Sequence, residues 1–206
     1  MFLRSILCAT AVWVPATAAT AEATSEARIA DEIVQLSSKT CFGITSGEIA
    51  TPALSPTNSL DQSIEKVESW GLTYGFSNEI AGKLGDPGLS LVSRSTMGSK
   101  SLLEADIVFA VGGSQPGCHV ILLSEPSLSV TETVSQRLVD DGWTYVTEMT
   151  ATRGALERRA YIRRDREGQA YLMNLMTVVS PAPGSKMRLF TTTAKIPPHV
   201  RIPEGY

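Results

Sequence analysis

Histidine is almost missing from this chain: His119 and His199 are the only two in 206 residues. Cysteine occurs three times and never as C-x-x-C. Acidic residues stand singly or in short pairs such as Asp31-Glu32 and Asp140-Asp141. Nothing has zinc-site spacing or the form of an EF-hand loop, so neither a metal nor any other cofactor is expected. A basic excess is lacking too, since 18 Lys and Arg face 21 Asp and Glu. Nucleic-acid binding needs a basic footprint, and that partner class is excluded. No apolar run approaches the roughly 20 residues that a membrane-spanning helix requires.

What is present begins with the leader. Arg4 is the only charge before Glu22, the stretch Ile6 to Val14 is apolar, and Ala16-Thr17-Ala18 and Ala19-Thr20-Ala21 follow. Charged start, short apolar core and small-residue exit describe a secretory signal peptide. Residues 1–21 are expected to be removed, with cleavage after Ala18 as the alternative. Residues 22–206 then form a single α+β domain, exported to the periplasm or secreted, with no transmembrane segment. Loss of Arg4 leaves 17 basic against 21 acidic residues, a net charge of −4.

The mature chain keeps Cys41 and Cys118. In an oxidising compartment two cysteines most simply form one disulfide. On the chain-entropy model, closing so long a loop stabilises the fold by about 4–5 kcal/mol.

Helical periodicity marks residues 22–40 through Ile29, Ile33, Val34 and Leu36, and residues 59–72 through Leu60, Ile64, Val67 and Trp70. A third helix is expected in SVTETVSQRLVDDGW, residues 129–143. Ser59 with Gln62 and Ser129 with Glu132 have capping-box spacing. Residues 43–58 read as loop, and Ser77–Lys83 as a shorter helical or irregular piece. Seven strands are expected: LSLVSRSTM, ADIVFAVGG, CHVILLSE, WTYVTEMT, LERRAYIRR, QAYLMNLMTVV and MRLFTTTAKI. The proline-rich tail, residues 196–206, is expected to be extended. Strands joined by short turns pair antiparallel, giving a sheet of about seven strands with helices packed on one face. The order hints at a duplicated α-β-β-β unit, with Trp70-Gly71 at one helix end and Gly142-Trp143 at the other.

Several motifs invite chemistry. Cys118 and His119 are neighbours, yet adjacent strand positions point to opposite faces, which separates a thiolate from its base. Pairing across the GGSQPG loop sets Val111 opposite Cys118, Phe109 opposite Val120 and Ile107 opposite Leu122. His119 then sits beside Ala110 on the other face. Gln115-Pro116-Gly117-Cys118 has the signature of a type II turn. Ser63-Ile64-Glu65-Lys66 matches S-x-x-K but lacks its companion motifs, and Gly43-Ile44-Thr45-Ser46-Gly47 lacks the strand–helix context of a nucleophile elbow.

The most promising surface is the hairpin around Asp165-Arg166-Glu167-Gly168. A four-residue turn puts Ala160, Ile162, Tyr171 and Met173 on a core face. It puts Arg159, Tyr161, Arg163, Leu172 and Asn174 on the other. Arg159, Tyr161, Arg163 and Asn174 are the candidate binding residues, suited by forked hydrogen bonds and stacking to an anionic or glycan-like group. No catalytic constellation emerges. The functional expectation is therefore a non-enzymatic binding or accessory protein whose partner is an anionic or glycan-like envelope component or another envelope protein. The alternative is a small hydrolase pairing a serine with His119 or His199 only in three dimensions. Intact-mass measurement before and after reduction checks the disulfide: a gain of two hydrogens is expected, and a free thiol at Cys118 would refute it.

Overall fold

The computed structural model describes residues 17–50, 60–75, 95–102, 105–112, 117–124, 130–150, 156–181 and 185–202. Its helices are α1 (Thr17–Val34), which runs without a break into a π-helical segment (Gln35–Cys41), α2 (Phe42–Ser46), α3 (Leu60–Ser69) and α4 (Thr131–Asp140). The strands are β1 (Thr73–Gly75), β2 (Ser95–Leu102), β3 (Ala105–Gly112), β4 (Cys118–Ser124), β5 (Thr144–Thr150), β6 (Leu156–Arg164), β7 (Ala170–Val178) and β8 (Met187–Lys195). Every pairing is antiparallel, in the order β1-β2-β3-β4-β8-β7-β6-β5. A mixed α+β fold follows, and no helix among the described residues is long and apolar enough to cross a membrane.

α1 follows its apolar stripe, with Ile29, Ala30, Ile33 and Val34 buried. Both expected processing points fall in its first two turns, ahead of Ile29. The continuation departs from the expected α-helix. In the π-helical segment Leu36, Ser37 and Ser38 are consecutive and all buried, as are Thr40 and Cys41. Burial of so many neighbouring positions exceeds a single stripe, so the segment is enclosed on more than one side. The polar ones enter with partners: Ser37 Oγ lies 2.6 Å from Thr191 Oγ1, and Trp143 Nε1 donates to Ser38 Oγ at 2.7 Å. Residues 43–46, expected as the start of a loop, belong instead to α2, which Gly47 ends at φ +86°.

The β3–β4 hairpin has the expected register, with Val111 opposite Cys118, Phe109 opposite Val120, Ile107 opposite Leu122 and Ala110 opposite His119. Cys41 and Cys118 form the disulfide, with Cα atoms 5.2 Å apart and both residues fully buried. The principal core joins the helices' apolar positions to Ile107, Phe109, Val111, Val120, Leu122, Met173 and Leu175. Val108, Ala110, Ile121, Leu123 and Phe190 cluster separately. The eighth strand, β1, has three residues, too short for an alternating pattern to reveal. Ser59, residues 77–83, Ser129 and residues 113–116 lie outside the described residues, as do the side chains of residues 60–63.

α3 and α4 end alike. Gly71 and Gly142 both take positive φ, at +75° and +90°. Gly71 N–H reaches Glu68 O and Leu72 N–H reaches Val67 O, while Gly142 N–H reaches Val139 O and Trp143 N–H reaches Leu138 O. Val67 and Leu138 anchor the two last turns in the core, and Leu72 and Trp143 are buried beyond them. Thr73-Tyr74 and Thr144-Tyr145 then open β1 and β5. Between α3 and the sheet, Gly98 leaves no room for a methyl group: a Cβ there would stand 2.7 Å from Val67 Cγ1 and 2.8 Å from Leu72 Cβ. Gly98→Ala is expected to lower stability by about 1–3 kcal/mol through overpacking, measured by urea denaturation.

Candidate functional site

Beside the π-helical segment, the β6–β7 turn sets which side chains face the helices. Asp165 Oδ1 accepts the N–H groups of Glu167 and Gln169, both at 2.9 Å, and Asp165 N–H donates to Gln169 O at 3.0 Å. The loop therefore includes Gln169, and Arg164 pairs with Ala170. This is one residue longer than the expected turn. A one-residue slip exchanges the faces of a strand. Tyr161 lies opposite Met173 and Arg163 opposite Tyr171, so Tyr171, Met173 and Leu175 share a face with Arg159, Tyr161 and Arg163. Leu172 and Asn174 share the other with Ala160 and Ile162. The expected Arg159–Tyr161–Arg163–Asn174 surface does not form as a unit: Asn174 is on the opposite face, where Arg158 Nε donates to its Oδ1 at 2.8 Å.

Two of the remaining three are engaged by α4. Arg159 makes a two-pronged contact with Glu132, and its hydrogen bonds hold the Glu132 carboxyl below the usual range. Tyr161 is fully buried and its hydroxyl lies 2.7 Å from Ser135 Oγ; burial pushes its ionisation upward.

Arg163 is differently placed. Its guanidinium sits 4.5 Å from the Phe42 ring centroid. Nη1 lies 3.6 Å from Asp141 Oδ2 and donates to Ser38 Oγ at 3.4 Å. Ser38 itself donates to Asp141. Phe42 also meets Trp143 and Tyr171 edge-on, with centroids 5.7 and 5.1 Å apart. An aromatic floor thus carries a cation whose counter-charge is fixed at the end of α4.

Above this floor is a recess of about 370 Å³, with Arg163, Arg164, Arg166 and Lys39 as its cations and Glu48, Asp141 and Asp165 as its carboxylates. Asp165 is occupied by its own loop and by the Tyr171 hydroxyl, which donates to Oδ2 at 3.0 Å. Lys39 and Arg166 make no ion pair among the described residues. Such an arrangement can hold an acidic group by charge-assisted hydrogen bonds. Lys39, Phe42, Asp141 and Arg166 were not legible as site members, because the π-helical turn and the loop register bring them together.

The other candidate motifs are placed elsewhere. His119 is buried with Nδ1 3.1 Å from Thr192 Oγ1, and His199 is exposed. Lys66 of the S-x-x-K segment lies over the Trp70 ring. Thr45 Oγ1 donates back to Cys41 O at 2.8 Å, an ordinary intrahelical contact. Among the described residues no group of three or more His, Cys, Asp or Glu could hold a metal ion. No protein-family model, curated protein or solved structure matches the chain.

Burial, followed by the Asp165 carboxylate, pushes the Tyr171 hydroxyl up to about 12. Unfolded, the group ionises near its ordinary value of about 10. Its contribution to stability is therefore complete below pH ~10 and declines as pH rises from 10 toward 12. Tyrosinate absorbance should show a late-titrating component, to which Tyr161 also contributes, that Tyr171→Phe reduces by one tyrosine; an unchanged curve would contradict the placement.

Proposed function

We propose that this chain is an exported, non-enzymatic binding or accessory domain of the cell envelope, and that it takes an acidic group in the recess above Phe42. The observation that carries the reading is the set of cations around that recess, Lys39 and Arg166 above all, beside Arg163 held on its aromatic floor. Of the residues first expected to bind, Arg163 keeps this role. Arg159 and Tyr161 support it by fixing β6 against α4. An acidic glycan or a carboxylate-bearing envelope component meets such a site with favourable charge and forked hydrogen bonds. Hydrolysis by His119 or His199 has less support, since one meets a threonine and the other lies on the exposed tail.

We also infer that the chain is one domain built from a doubled unit, a helix followed by four strands. Support comes from the matched ends of α3 and α4 and from the strand order, in which two four-strand runs meet at β4 and β8. Gly71 and Gly142 are the equivalent positions, which aligns Leu72 with Trp143. The helices belong to one face of the sheet in this scheme, because their buried residues join the cluster that contains Ile107, Phe109 and Val120.

The test is a thermal-shift screen of the purified chain against inorganic phosphate, citrate and glucuronate. A rise in melting temperature is expected, abolished in Lys39→Ala/Arg166→Ala and retained in Arg158→Ala on the opposite face. A shift that survives the double substitution would place the site elsewhere.

A further inference from the structure

A second recess, of about 540 Å³, lies between α1 and α4. Lys39 and Asp141 line both recesses, so the two are neighbours across one shared wall. Their charges are opposite. The second recess holds four carboxylates, Asp31, Glu32, Asp140 and Asp141, against Lys39 and Arg137. The recess above Phe42 holds four cations against three carboxylates, one of which, Asp165, is occupied by its own loop.

Internal pairing locates the two poles. Asp31 is taken by Arg137, and Glu32 by Lys100 at 2.7 Å. Among the described residues, Asp140 has only the neutral Gln136 amide, at 3.0 Å, as its hydrogen-bond donor. It also stands at the C-terminal end of α4, where the helix dipole adds negative potential and favours a cation. On the other side, Lys39 and Arg166 have no ion-pair partner among the described residues.

From these positions we propose that the paired recesses bind a ligand carrying charge of both signs, a short peptide with a free amino terminus and a free carboxylate. The ammonium group sits by Asp140 and the carboxylate sits between Lys39 and Arg166. This rests on the acidic-group reading above and adds the ligand class to it. Size follows from the two recesses: volumes of about 540 and 370 Å³ are each several times that of a single amino acid, so a peptide of a few residues fills them where a single amino acid does not.

Calorimetric titration of the purified chain tests this with tetraalanine, N-acetyl-tetraalanine, tetraalanine amide, glycine and inorganic phosphate. Tetraalanine with both termini free is expected to bind. Acetylation and amidation should each weaken it about tenfold, the scale of one charge-assisted hydrogen bond. Glycine should bind more weakly still. Asp140→Asn should weaken tetraalanine but leave N-acetyl-tetraalanine unchanged, whereas Lys39→Ala/Arg166→Ala should weaken both. Thermal melts of the variants confirm that each folds. If N-acetyl-tetraalanine or phosphate binds as tightly as tetraalanine, the two-pole ligand is refuted while the acidic-group site stands. If neither phosphate nor any peptide binds, both fall.

Discussion

The covalent link between Cys41 and Cys118 fixes the end of a π-helical segment to the start of β4, beside β8 in the middle of the sheet. Around that link the segment must bury serine and threonine as well as leucine. Burying a hydroxyl is costly unless it is hydrogen-bonded. Ser37 meets Thr191 on β8, and Ser38 meets Trp143 and Asp141 just beyond α4. The disulfide thus holds in register a helix surface that apolar packing alone would not specify. Phe42, the residue after Cys41, is delivered by the same constraint to Trp143, Tyr171 and Arg163.

Trp143 shows how the core and the candidate site share parts. Its indole is buried in the main cluster, its N–H satisfies Ser38, and its ring edge meets Phe42. Leu72 follows Gly71 as Trp143 follows Gly142, and the leucine side chain fills space and has no hydrogen-bonding group. Asp141 precedes Gly142 as Trp70 precedes Gly71, and Trp70 packs against Phe109. The end of α3 thus has apolar packing, and the end of α4 has a polar network leading to the recess.

Much of the fold was legible because its signals are local. Strand β6 has the bounds that its alternation and flanking glycine and aspartate suggest, and the β3–β4 register follows from keeping its apolar face intact. The hairpin that carried the candidate site was harder. Asp165-Arg166-Glu167-Gly168 reads as a four-residue turn, but the Asp165 carboxylate also captures the N–H of Gln169 and lengthens the loop by one. That single hydrogen bond exchanged Asn174 for Tyr171 on the helix-facing side, so three of the four expected site residues share a face and the fourth does not.

Composition and periodicity by themselves determined the antiparallel α+β character, the pairing of Cys41 with Cys118 and the apolar stripe of α1. These depend on residue type, spacing and the small number of cysteines. Tertiary structure decided the widened turn at Gln35–Cys41, the loop register at Asp165 and the meeting of Lys39, Phe42, Asp141, Arg163 and Arg166. Those features turn on which distant group satisfies a buried hydroxyl or a turn N–H. Satisfaction of that kind is settled by the partner's position in space, which no local pattern of residues records.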